Sequence, residues 1–114
     1  MLNKTPIDIL IEKGYDDVIV FCNPDYTTAL IGLTVEGNAV YDSDLMLDWL
    51  IENEGMTAEE AEDFISYNDS FYYGEGYPIV YYGTEYEELM AEEDPEYKPL
   101  SYIKLEDLPN KKTN

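Results

Sequence analysis

Apolar and polar positions along this chain change period several times, and each change marks an element. Thr5-Pro6-Ile7-Asp8 reads as a helix start, with Thr5 capping, Pro6 at the first helical position and Asp8 at the positive end. Ile7, Leu10 and Ile11 then share a face, and Gly14 is a natural stop. The β-branched and aromatic run "DVIVFC" (17–22) predicts a buried strand, punctuated by Asn23-Pro24-Asp25. "ALIGLTV" (29–35), the turn Glu36-Gly37-Asn38 and "AVYD" (39–42) predict a β-hairpin, with Gly32 marking a bulge or a close approach by another element.

The second half alternates helices and strands. Asp42 or Ser43 caps a helix running to about Asn53, with Gly55 beyond it. Its apolar residues Leu45, Met46, Leu47, Trp49, Leu50 and Ile51 cover most of the circumference and leave Asp44, Asp48 and Glu52 as a narrow stripe. That helix is expected to be buried on more than one side, or to supply an interface. A capping box, Thr57 with Glu60, opens the next helix, whose face Ala58, Ala61, Phe64 and Ile65 opposes Glu59, Glu60, Glu62 and Asp63. "GYPIVYYG" (76–83) predicts a strand whose Pro78 favours a sheet edge or a strand opening. A further capping box, Thr84 with Glu87, predicts a short acidic helix carrying Tyr86, Leu89 and Met90 on one face and ending at Asp94-Pro95. "SYIKL" (101–105) is one more candidate strand.

The fold class predicted is α+β: a small, mostly antiparallel sheet of about 4–5 strands, packed by a central pair of helices plus short terminal helices. Residues 1–109 are expected to form a single domain, and the polar residues 110–114 a frayed tail.

Charge narrows the function. The chain carries 26 acids against six lysines, a formal charge of −20, with no arginine and no histidine. Such a surface repels nucleic acid and anionic membrane and attracts basic proteins at long range. Self-repulsion costs stability, so the imbalance calls for a reason, and solubility alone is one. Halophilic adaptation fits poorly with the isoleucine, lysine, asparagine and tyrosine usage. No apolar run is long enough for a membrane span, and the first residues lack the pattern of a secretory signal, so a cytoplasmic location is expected.

Ordinary catalytic chemistry is hard to find. Without histidine there is no side chain titrating near neutrality to act as a general base, and no imidazole metal ligand. The lone cysteine, Cys22, cannot form an internal disulfide and is expected to be a buried, inert thiol. "GEG" (74–76) lacks the spacing and lysine of a phosphate loop, and "DSD" (42–44) lacks the glycine and distal glutamate of an EF-hand loop. Carboxylate pairs are so abundant that a hydrolase dyad carries no signal. No enzyme activity, metal or cofactor is expected.

Three acidic groups stand out: Asp44, Asp48 and Glu52; Glu59, Glu60, Glu62 and Asp63; and Glu85, Glu87 and Glu88, continued by Glu92 and Glu93. The first climbs its helix in steps of about 6 Å, of the order of the separation between successive phosphates along one nucleic-acid strand. Residues 66–88 hold seven tyrosines and five acids and no basic residue. Within them "NDSFYYGEG" (68–76) is too polar and glycine-rich for a core element, yet it supplies Tyr72 and Tyr73 beside Glu75 as candidate contact residues. These features predict a DNA mimic that occupies the groove of a basic nucleic-acid-binding protein. The alternative is an assembly module that self-associates, as a homodimer, through the apolar helix around Trp49.

From Phe21 to about Tyr82, "FCNPDYTTALIGLTVEGNAVYDSDLMLDWLIENEGMTAEEAEDFISYN" followed by "PIVYY" resembles a family of small acidic proteins of gut Firmicutes and their phages. The acidic segment after Gly83 departs from that family. A small, very acidic protein of such origin is similar in character to anti-CRISPR inhibitors, several of which imitate DNA. The resemblance implies a non-enzymatic phage or mobile-element inhibitor whose partner is a host-defence protein, foremost a CRISPR effector nuclease.

Overall fold

In the computed structural model, which describes residues 4–22, 24–69 and 76–111, the elements follow the order α1 (Pro6–Glu12), β1 (Leu30–Leu33), β2 (Ala39–Asp42), α2 (Ser43–Glu54), α3 (Ala58–Asp69), β3 (Ile79–Tyr81), α4 (Thr84–Glu93) and β4 (Ile103–Lys104). A 3₁₀ turn, Leu105–Asp107, follows β4. The fold is α+β, with one mixed, mostly antiparallel sheet in the order β3-β2-β1-β4. The predicted loop residues Tyr72, Tyr73 and Glu75 lie outside the described residues.

The hairpin forms as its turn chemistry requires. The Thr34 amide donates to the Asn38 carbonyl (2.9 Å), and Gly37 takes the positive φ of 95°. Asn38, which the sequence marks only as a turn residue, is buried and does more: its side-chain amide donates to the Tyr77 carbonyl (2.9 Å), fixing the entry to β3. Gly32 both interrupts the β1–β2 register and meets β4 so closely that a Cβ would overlap the Ile103 carbonyl and lie 2.8 Å from the Tyr102 ring. Both expectations for this glycine hold.

The chain between β2 and β3 is a helical crossover, so those two strands pair parallel, with Val40 opposite Ile79 and Asp42 opposite Tyr81. Asp42 caps α2, accepting from the amides of Asp44 (2.9 Å) and Leu45 (3.2 Å), and Gly55 ends it in the left-handed conformation. Met46 and Leu50 of α2, with Ala61 and Ile65 of α3, are buried in the core with Leu30, Leu33, Ala39 and Tyr41 of the hairpin. Each fully buried leucine here contributes roughly 1.5–3 kcal/mol of apolar transfer. β3 is an edge strand, as Pro78 predicted.

Three local expectations fail, each for a physical reason. Residues 17–22 form no strand: the Phe21 amide donates instead to the Tyr41 hydroxyl (3.1 Å), and Phe21 packs against Tyr26 and Tyr41 with ring centroids 5.6 and 4.6 Å away. The apolar run reports burial of Val18, Val20 and Phe21 against the core, not pairing in a sheet. Cys22, at the end of that irregular run, is exposed rather than buried. The Thr84–Glu87 capping box is not made either. α4 starts at Thr84 with Gly83 as its cap residue, the Thr84 hydroxyl bonds to the Tyr81 hydroxyl (3.1 Å), and Glu87 turns inward. The Lys111 amide donates to the Lys13 carbonyl (2.7 Å), and the Lys111 ammonium lies 5.0 Å from the Tyr15 ring centroid.

Candidate functional site: an acidic helical face

The candidate face is built on the two longest helices. Along α2, Asp44, Asp48 and Glu52 recur every four residues, so they fall on one stripe, and all three are exposed. Leu45 and Ile51, 38% and 37% exposed, border that stripe. α3 turns Ala61 and Ile65 into the core, which leaves Glu59, Glu60, Glu62 and Asp63 outside. Its start is fixed by the capping box: the Thr57 amide donates to Glu60 Oε1 (2.9 Å), and the Glu60 amide donates to the Thr57 hydroxyl (3.1 Å). Those bonds hold the Glu60 carboxyl below the usual carboxylate range.

Packing of α2 on α3 divides the α3 acids between two sides. Glu62 faces a groove shared with Asp44 of α2, walled by Tyr82. Glu60 and Asp63 border a shallower depression with Met56, Phe64 and Tyr67. Glu59, exposed, stands apart from both. Asp48 and Glu52 continue the α2 stripe beyond the groove. Thus the structure places Asp44 and Glu62 on the lining of one groove, a proximity across helices that spacing in the sequence does not show.

The third acidic group is not uniform. Glu85 and Glu88 are exposed, but Glu87 is withdrawn from the surface. Its carboxylate accepts from the Tyr97 hydroxyl and from the Leu100 amide (3.1 Å), anchoring the segment after α4. The bond to Glu87 pushes the Tyr97 hydroxyl up to about 12. The sequence offered one hint of this role, an aromatic hydroxyl ten residues beyond Glu87, but no rule links such a pair. Tyr82 and Tyr86, missed as site residues, stand 5.3 Å apart (ring centroids) and lead from the groove to the first turn of α4.

Electrostatics set this face apart. Between Lys13 and Lys98 the chain holds 22 of its 26 acids and no lysine. Among the described residues the only ion pair is Lys4–Glu12 (2.8 Å), on α1. Among the described residues, therefore, no candidate carboxylate on α2 or α3 has a cationic partner. Repulsion among them is screened beyond about 8 Å at physiological salt, so closely spaced carboxylates on adjoining helices still feel one another.

The broad apolar surface of α2 is largely used within the fold. Trp49 packs edge-on against Tyr26 (5.6 Å between ring centroids), within an aromatic cluster that includes Phe21 and Tyr41. Tyr41 is fully buried, and desolvation pushes its hydroxyl up to about 12. Among the described residues, no group of His, Cys, Asp and Glu is placed to hold a metal ion, and no helix is long and apolar enough to cross a membrane. No protein-family model, curated protein or solved structure matches the chain.

Proposed function

We propose that this protein is a non-enzymatic inhibitor, carried by a phage or mobile element, that binds a basic nucleic-acid-binding defence protein and blocks its access to DNA. The foremost candidate partner is a CRISPR effector nuclease, and the mode is acidic DNA mimicry. One observation carries this reading: exposed carboxylates on two packed helices, with no lysine anywhere between residues 14 and 97 to neutralise them. A solvated helix face normally mixes both signs of charge. A face of one sign, held on rigid elements, suits the lysines and arginines that otherwise neutralise phosphates.

Its origin and its partner class rest on the resemblance of residues 21–82 to the Firmicutes and phage proteins, and on the likeness in character to anti-CRISPR inhibitors. The test is binding of the full chain to a panel of purified CRISPR effector complexes, with duplex DNA as competitor. Mimicry predicts that DNA displaces the protein, and that affinity falls steeply between about 50 and 200 mM salt, as it does for phosphate contacts. Binding that ignores both DNA and salt would sink the reading.

A further inference from the structure

The groove between α2 and α3 combines features that a plain charged surface lacks. Leu47 and Ile65 form an apolar floor, Tyr82 a wall and Ser66 part of the rim, while Asp44 and Glu62 approach it from the two helices. Ile65 is almost fully buried, whereas Tyr82 remains 37% exposed. The groove is open to solvent on one side and offers about 270 Å³, below the range of about 300–1,000 Å³ typical of small-molecule sites, which suits one long side chain.

We infer that this groove receives an arginine side chain of the basic partner, so that it is the specific anchor point within the acidic face. The inference rests on the proposed reading of a basic protein partner. An arginine stem is apolar and matches the Leu47–Ile65 floor. Its planar guanidinium can stack on a tyrosine ring while its fork of donors meets carboxylates from two directions. A lysine ammonium has the charge but neither the plane nor the fork. Continuity from Tyr82 to Tyr86 extends the same aromatic–acidic surface to Glu85.

Backbone amide shifts of the full chain, titrated with a hexa-arginine and a hexa-lysine peptide, test this. The expected result is shifts concentrated at residues 43–47, 62–66 and 82, with arginine binding roughly fivefold to tenfold more tightly than lysine. Ser66→Trp, which fills the groove without changing charge, should reduce hexa-arginine affinity about tenfold. A paired comparison guards against misfolding of that variant: Asp44→Asn with Glu62→Gln should abolish the arginine preference, whereas Glu59→Gln with Asp63→Asn should preserve it. Shifts spread evenly over α2, α3 and α4, equal affinity for the two peptides, or equal effects of the two paired variants would overturn the inference. Capture of a DNA-binding protein that Asp44→Asn with Glu62→Gln leaves intact would overturn the groove alone. Focused arginine binding without any DNA-competed capture would uphold the groove while sinking the inhibitor function.

Discussion

The two poles of this molecule use charge in opposite ways. Where the chain ends meet, lysines are consumed by the fold. Lys13, at the end of α1, donates to the carbonyls of Leu105 (2.8 Å) and Leu108 (3.0 Å), while the Lys111 ammonium lies over Tyr15 and its backbone joins Lys13. On the α2–α3 face, the carboxylates project into solvent with no cationic partner among the described residues. Charged residues that satisfy buried or half-buried backbone groups are fixed by stability. Those left unpaired on a helix surface add self-repulsion and, apart from Glu60 in its capping box, no hydrogen bond that the fold requires. Glu87 sharpens the contrast, being an acid that belongs with the structural lysines: it is buried and holds the backbone of Leu100.

That comparison can be broken by substitution, taking the largest expected effect first. Gly32→Val should separate β4 from β1 at the chain-end pole, because its side chain would collide with the Ile103 backbone and the Tyr102 ring. A loss of about 3 kcal/mol is expected in urea melts. A pH titration of stability should show a loss of roughly 2–3 kcal/mol between about pH 10 and 12. The sign follows from Tyr41: its folded-state hydroxyl is raised to about 12, so in that window the unfolded chain releases a proton that the folded chain keeps. Tyr41→Phe should make that fall shallower and leave the part contributed by the raised Tyr97 hydroxyl. Lys13→Met should cost about 2 kcal/mol, because two carbonyls lose their donor.

Among the acids, Glu87→Gln should lower stability by about 1 kcal/mol, since the bond to Tyr97 loses its charge assistance. The smallest stability effect belongs to the three changes Glu59→Gln, Glu62→Gln and Asp63→Asn made together, which leave the Thr57–Glu60 capping box intact. They should leave the melting midpoint nearly unchanged, within about 0.5 kcal/mol, while weakening partner capture and its salt dependence. A large stability loss in this variant, or none in Lys13→Met, would erase the distinction between the two poles.

Much of the scaffold could be read from local patterns. Thr5, Asp42 and Thr57 cap the helices that their sequence context predicts, and Gly37 and Gly55 take the positive φ angles that their turn and helix end require. Such signals survive because each depends on a few neighbouring residues. The run 17–22 misled because β-branched residues report a preference for burial, whereas a strand also needs a partner edge. Thr84 misled in a similar way. Its spacing to Glu87 fits a capping box, but the Tyr97 hydroxyl and the Leu100 amide, contributed from beyond α4, compete for the same carboxylate.

The candidate face divides along the same line. The sequence by itself determined that exposed carboxylates would dominate α2 and α3, because helical period and core demand leave those positions to solvent. It also determined the absence of lysine from residues 14–97, and hence the single sign of charge there. Only the tertiary structure decided which acids act together. Packing of α2 on α3 brought Asp44 to Glu62 and placed Tyr82 beside them, and the fold of the segment after α4 took Glu87 out of the surface. Charge is set residue by residue along a chain, but a site depends on distances between residues far apart in it, and packing alone fixes those.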